Sequence, residues 1–271
     1  MNLVVFAVAA VILYLLTSAA LTVRLAGSIS TPRVSRGAVL VLGFGAVILH
    51  GLVLYPELMT RQGLNMGFFN AASLVALLMV TLLLLTALRQ PVENLGIPVL
   101  PVAAATVALA IWNPGGHEDI TSTNWQLDLH ILFSVLAYSL FALAAAQAVL
   151  LDIQDRHLRN RRPGGFIRAL PPLEVMEGLL FQMIATGFAL LSAALLTGMV
   201  FLEDIFAQHL VHKTVLSIAS WIIFGTLLWG RHKFGWRGRT AIRWTLSGFV
   251  FLILAYFGSK LVLELILQRN A

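Results

Sequence analysis

About eight long apolar runs constrain this chain more than any other feature of it. The first extends from Leu3 to Val23, and the others lie at about 37–55, 68–88, 97–112, 128–150, 178–201, 213–230 and 244–267. Hydrocarbon roughly 30 Å thick is crossed at about 1.5 Å per helical residue, so about 20 apolar residues make one span. No water satisfies an extended backbone in lipid, so each run is predicted to be a helix. Only 11% of the 271 residues are charged and 59% are hydrophobic, against about 25% and roughly 45–50% in soluble domains. Lipid, not a larger core, accounts for that departure. The first run lacks a positive leader and exceeds the roughly 7–15 apolar residues of a signal peptide, so it is read as a retained helix. The fourth is the shortest: it starts after Pro98 and Pro101, ends at Trp112-Asn113-Pro114-Gly115-Gly116, and is expected to be tilted or partly re-entrant. The predicted fold is all-α, a polytopic membrane helix bundle of about eight transmembrane helices forming one domain over residues 1–271.

Lys and Arg orient the bundle. Arg24, Arg33 and Arg36 follow the first run, and Arg89 follows the third. Arg156, Arg159, Arg161, Arg162 and Arg168 follow the fifth; Arg231, Lys233, Arg237, Arg239 and Arg243 follow the seventh. Most of the 18 basic residues thus lie in alternate connections, which the positive-inside rule assigns to the cytoplasm. Both termini are then expected outside it, N-out and C-out. The net charge of +6 is explained by topology, with the basic loops available to anionic lipid headgroups, and no nucleic acid is expected as a partner. The absence of cysteine excludes disulfides, thiolate metal sites and covalent Cys-Cys-His haem attachment.

Ionisable residues inside spans are the default site markers in a membrane protein. His50 in the second run and His130 in the fifth fall at similar depth on the predicted extracytoplasmic side, and His212 stands at the outer lip of the seventh. Two imidazoles at one depth suit a planar tetrapyrrole, whose iron takes one nitrogen on each face. The competing account is that each histidine hydrogen-bonds across helices. Ser134 and Tyr138, at i+4 and i+8 from His130, read as core. His209-x-x-His212 with Glu203 and Asp204, and His117-Glu118-Asp119, offer weaker sites for a divalent cation. Glu264 is expected to pair with Lys260 at i, i+4. No Ser-His-Asp order, phosphate-cradling Gly loop or His-Glu-x-x-His motif occurs.

Four stretches carry a resemblance. They are Asp128-Leu129-His130-Ile131 followed by Leu136-Ala137-Tyr138; His212-Lys213-Thr214 running on to Ser217 and Trp221; Gly235-Trp236-Arg237-Gly238-Arg239; and Ala255-Tyr256-Phe257-Gly258. In this order and spacing the chain resembles the cytochrome c assembly superfamily of membrane proteins, which includes the CcsA/ResC and HemX-like proteins, and within it the short YpjD-type inner membrane proteins. The resemblance implies a non-enzymatic, haem-binding bundle of the bacterial inner (cytoplasmic) membrane, acting in cytochrome c biogenesis beside other cytochrome-assembly membrane proteins. It places His130 on the family's outer axial histidine and sets His232 a residue or two from the family's later one. The expected cofactor is haem b, with His130 and His50 as axial ligands of its iron and His212 in reserve. The chain departs from the haem-presenting members at Glu203–His212, where their tryptophan-rich outer segment is replaced. A transporter, or an accessory subunit of one for a cation or small solute, is the alternative; broken helices near the midplane would mark it. A purely structural assembly partner is the third reading.

Overall fold

The computed structural model describes residues 2–26, 34–60, 63–112, 119–120, 125–160, 170–201, 211–258 and 261. Eight helices among them are long and apolar enough to cross a membrane: α1 (Leu3–Ala26), α2 (Arg36–Leu58), α3 (Phe68–Arg89), α4 (Gly96–Trp112), α5 (Trp125–Arg159), α6 (Leu173–Phe201), α7 (Val211–Phe234) and α8 (Gly238–Ile253). Every predicted span is represented among the described residues, the eighth as far as Gly258, with the remainder of its predicted range to 267 lying almost wholly outside them. The differences lie at the ends. α5 runs to Arg159 because its last turn is polar yet held by the i, i+4 pairs Arg156–Asp152 and Arg159–Asp155. α8 starts at Gly238 and passes into a single π-helical turn at Leu254–Gly258.

The fourth span is regular, contrary to the re-entrant expectation, and a 3-10 turn at Glu93–Leu95 leads into it. Pro101 within α4 has no N–H for the carbonyl of Ile97, one turn earlier. The Ser18 hydroxyl of α1 donates to that carbonyl at 2.9 Å, so the neighbouring helix repairs the defect.

The helices form two rings of four. In the first, α1 packs on α2 and α4, and α3 packs on α2 and α4; in the second, α5 packs on α6 and α8, and α7 packs on α6 and α8. Contact between α3 and α5 joins the rings. Large apolar side chains such as Val41, Ile48, Leu196 and Val200 are exposed on the perimeter, as expected where the solvent is hydrocarbon. The second ring is filled at its middle. Phe141 of α5 and Phe224 of α7 are fully buried and stack at 3.9 Å and 13°. A Cβ on Gly187 of α6 would meet the Phe141 ring at 3.1 Å, and one on Gly248 of α8 would meet Phe224 at 2.8 Å. Each helix thus contributes either a ring or the gap that admits one.

One end of the bundle collects the basic connections. Arg24 and Arg36 reach Glu93 at 3.6 and 3.4 Å, and Arg36 also donates to Ala87 O. In the second ring the turn between α7 and α8 places Gly235 and Gly238 at positive φ (67° and 53°), which glycine alone adopts without strain. The carboxylate of Glu177 in α6, nearly buried, accepts from Gly238 N at 2.6 Å and from Arg237 Nε at 2.9 Å. It therefore caps α8 and holds the Arg237 guanidinium above its usual range through that hydrogen bond and the opposite charge. Arg239 reaches Asp155 at 3.4 Å. At the opposite end, β1 (Leu64–Asn65) and β2 (Asp119–Ile120) pair antiparallel and tie the two connections there.

Candidate functional site

α5 begins at the end opposite the basic connections, with Asp128 in its first turn and Arg156, His157 and Arg159 in its last; both ends complement the helix dipole. His130 lies in the second turn, partly buried against α6. Its Nδ1 is 2.8 Å from Ala194 O. A carbonyl only accepts, so Nδ1 carries the hydrogen, and in the neutral ring Nε2 keeps its lone pair. The Thr197 hydroxyl stands 3.4 Å from the same Nδ1 and donates to Ala193 O and Ala194 O at 2.8 and 3.0 Å. Among the described residues Nε2 has no partner. A ring whose second nitrogen is fixed by a backbone carbonyl is the arrangement that presents imidazole to a metal.

His50 is placed differently. It is fully buried, with Nδ1 3.0 Å from the Tyr14 hydroxyl of α1 and Nε2 2.8 Å from Ser73 Oγ of α3. The Tyr14 ring meets the imidazole edge-on at 5.8 Å. A neutral imidazole donates through one nitrogen and accepts through the other, so both are used within the first ring. Between the helices that carry His50 and His130, Leu54, Leu58, Ala71 and Val135 form a buried cluster, with Ile131, Tyr256 and Phe257 packed on it. The hydrogen bonds of His50 and His130, the expected axial pair, do not lead to a common partner. The two rings belong to different polar networks, and apolar side chains occupy the seam between α2, α3 and α5.

His212 lies exposed in the first turn of α7, at the same end of the second ring as His130 and on the helix beside α6. His232 is exposed in the last turn of α7, at the basic end, away from His130. His117, Glu118, Glu203, Asp204, His209, Lys260 and Glu264 lie outside the described residues. Among the described residues no group of three or more His, Asp or Glu side chains converges on a metal position. Tyr138 belongs to the core, as expected: its hydroxyl donates to Leu252 O at 2.7 Å, just before the π turn. Its ring lies 6.1 Å from both Tyr256 and Phe257. Sequence reasoning missed Ala194 and Thr197. An alanine acting through its carbonyl leaves no mark in a sequence.

With this geometry in hand, similarity to known proteins adds the context. A family model described as Cytochrome C assembly protein matches residues 38–267. Inner membrane protein YpjD of Escherichia coli (strain K12) is 32% identical over 227 residues, 82% of this chain and 84% of that protein. Protein HemX of Brevibacillus brevis is 22% identical over 138 residues, 50% of this chain and 51% of that protein. The cytochrome c biogenesis protein CcsA of Prochlorococcus marinus (strain NATL1A) is 25% identical over 114 residues, 41% of this chain and 35% of that protein. No solved structure matches the chain.

Proposed function

This chain belongs to the cytochrome c assembly protein family, and from that premise we propose that it binds haem b through His130 and holds or relays it during assembly, without catalysing a reaction of its own. It is a multi-pass inner membrane protein. The observation that carries the haem reading is the bond from His130 Nδ1 to Ala194 O, which leaves Nε2 without a partner among the described residues. Haem, when bound, supplies an iron centre that accepts such a nitrogen. The carbonyl of Ala194 sets the tautomer, the Thr197 hydroxyl limits rotation of the ring, and partial burial restricts water at the site. His212 takes the place of His50 as the proposed second ligand, because it stands at the same end and keeps its ring outside the core. His50 serves the first ring as a structural crosslink. The proposed partners are haem, the bilayer and other membrane proteins of cytochrome c assembly.

Expression with ample haem, purification in mild detergent and an absorption spectrum test this reading. A Soret band is expected for the wild type, lost in His130→Ala and broadened or weakened in His212→Ala. The proposal falls if the wild type carries no Soret band or if His130→Ala leaves it unchanged.

A further inference from the structure

A helix that faces lipid is expected to carry large apolar side chains there, as α1 does with Val8, Ile12 and Leu15 and α2 with Val41 and Ile48. α6 breaks that pattern. Val175, Gly178, Gln182, Ala185, Ala189 and Leu196 follow one another along it at the three- and four-residue steps of a heptad seam. Val175 and Leu196 are exposed, as are Gln182, Ala185 and Ala189, and a Cβ on Gly178 would meet nothing within 4 Å. From Val175 to Leu196 the seam runs roughly 30 Å, the full thickness of hydrocarbon. The other sides of α6 are occupied. Gly187 and Ala194 lie against α5, while Phe188 stacks on Trp221 of α7 at 5.4 Å and Ser192 accepts from the Trp221 indole at 2.8 Å.

Gln182 decides what the seam is for. It stands five residues, about 7.5 Å along the axis, from Gly187 in the Phe141–Phe224 layer at mid-bundle, and as far from Glu177, which holds Arg237 at the basic end. Half the hydrocarbon is roughly 15 Å thick, so the amide lies within it. Among the described residues Gln182 makes no hydrogen bond. Apolar side chains lose nothing by facing acyl chains, but an amide without a partner there is costly. The small residues around it let another backbone come close, and a polar side chain among small ones is the usual composition of a helix–helix contact in lipid.

We propose that this seam of α6 is the interface of a homodimer, in which a second copy of the chain lays its own α6 against it and the two Gln182 amides bond to each other. Copies inserted in one membrane share an orientation, so a closed pair is related by a twofold axis along the membrane normal, and each residue near that axis meets itself. A carboxamide donates through its nitrogen and accepts through its oxygen, so two of them satisfy each other reciprocally. A lone carboxylate or ammonium in that place would meet its own charge. A single polar residue at a core position of an otherwise apolar seam also fixes register and the number of helices that associate. Ala194 and His130 face the α5–α6 contact, away from the seam, so the dimer stands independently of the haem reading.

The chain has no cysteine, so a single introduced one reports on its own surroundings. Ala185→Cys, Ala189→Cys and, on the lipid-facing side of α2, Ile48→Cys are each made in the intact chain, purified, returned to lipid bilayers and oxidised. A disulfide needs Cα atoms about 4.4–6.8 Å apart, which only residues beside the twofold axis reach. Disulfide-linked dimer is expected from both α6 variants, well above the level from Ile48→Cys. Energy transfer between fluorescently tagged copies, followed as they are diluted with lipid, gives the dimer affinity. Gln182→Leu removes two reciprocal hydrogen bonds and should weaken it roughly five- to tenfold. Crosslinking of Ala185→Cys and Ala189→Cys no greater than that of Ile48→Cys overturns the proposal, as does a Gln182→Leu protein that dimerises as well as the wild type. Crosslinks in native membranes that join α6 only to a different protein overturn it too, by giving the seam another occupant. The cysteine series keeps Gln182 in place and decides the matter even if Gln182→Leu fails to fold.

Discussion

Replacing His50 with phenylalanine separates the roles of the two intramembrane histidines. Phenylalanine keeps a ring at a position that is fully buried, so the change removes two nitrogens at little cost in packing. The hydroxyls of Tyr14 and Ser73 lose partners at 3.0 and 2.8 Å. Ser73 lies inside α3, where its hydroxyl can turn back onto a carbonyl of the preceding turn. The Tyr14 hydroxyl, at the far side of a rigid ring and fully buried, has no such escape. One orphaned group therefore dominates, and the expected loss of stability is about 1–3 kcal/mol. The direct Tyr14–His50 term is smaller, since interhelical hydrogen bonds in membrane bundles average about 0.6 kcal/mol and reach about 1.7. A cycle of Tyr14→Phe, His50→Phe and the double variant should return a coupling in that range. Unfolding in rising denaturing detergent, followed by tryptophan fluorescence, measures each term, and haem-replete preparations of the same proteins report the Soret band. The reasoning is refuted if His50→Phe abolishes the Soret band at an unchanged unfolding midpoint, or if the coupling with Tyr14 is nil.

Other consequences of the packing are open to the same unfolding assay. Gly248→Val places a side chain against the Phe224 ring and should cost about 1–3 kcal/mol, whereas Gly37→Ala, with no atom within 4 Å, should be neutral or slightly stabilising; equal effects would contradict the Gly187–Phe141–Phe224–Gly248 layer. Ser18→Ala should cost about 0.5–1.5 kcal/mol by stranding Ile97 O, and most of that cost should vanish in a Pro101→Ala background, where the backbone supplies its own donor. Additive effects of the two changes would mean Ser18 acts otherwise. Glu177→Ala removes the cap of α8 and should cost about 1.5–3 kcal/mol, with Glu177→Gln recovering part because an acceptor for Gly238 N remains; a silent Glu177→Ala would show that the turn holds α8 unaided.

The candidate site was half legible beforehand. His130 stood out because an imidazole inside an apolar run is costly, and the costliness is visible in one dimension. That it offers Nε2 depends on Ala194, whose contribution comes from a backbone atom on a span 64 positions away. His50 carried the same one-dimensional signal and turned out to be consumed by Tyr14 and Ser73, two residues ordinary in any apolar helix. The Gly-Trp-Arg-Gly turn was noticed as a motif, but its reason needed coordinates: two positive-φ glycines and a carboxylate from α6 that caps the next helix.

The chain by itself determined that helices cross a membrane, how many there are, and which connections are basic. Each of those depends on the length and transfer energy of a contiguous segment, and a segment carries that information alone. Which helices become neighbours, and so which of two similar histidines has a nitrogen without a partner among the described residues and which is locked in a hydrogen-bonded crosslink, was decided only by the tertiary structure. Inside lipid the apolar surfaces are nearly interchangeable in energy, so pairing is settled by a few close fits and polar contacts between residues far apart in sequence.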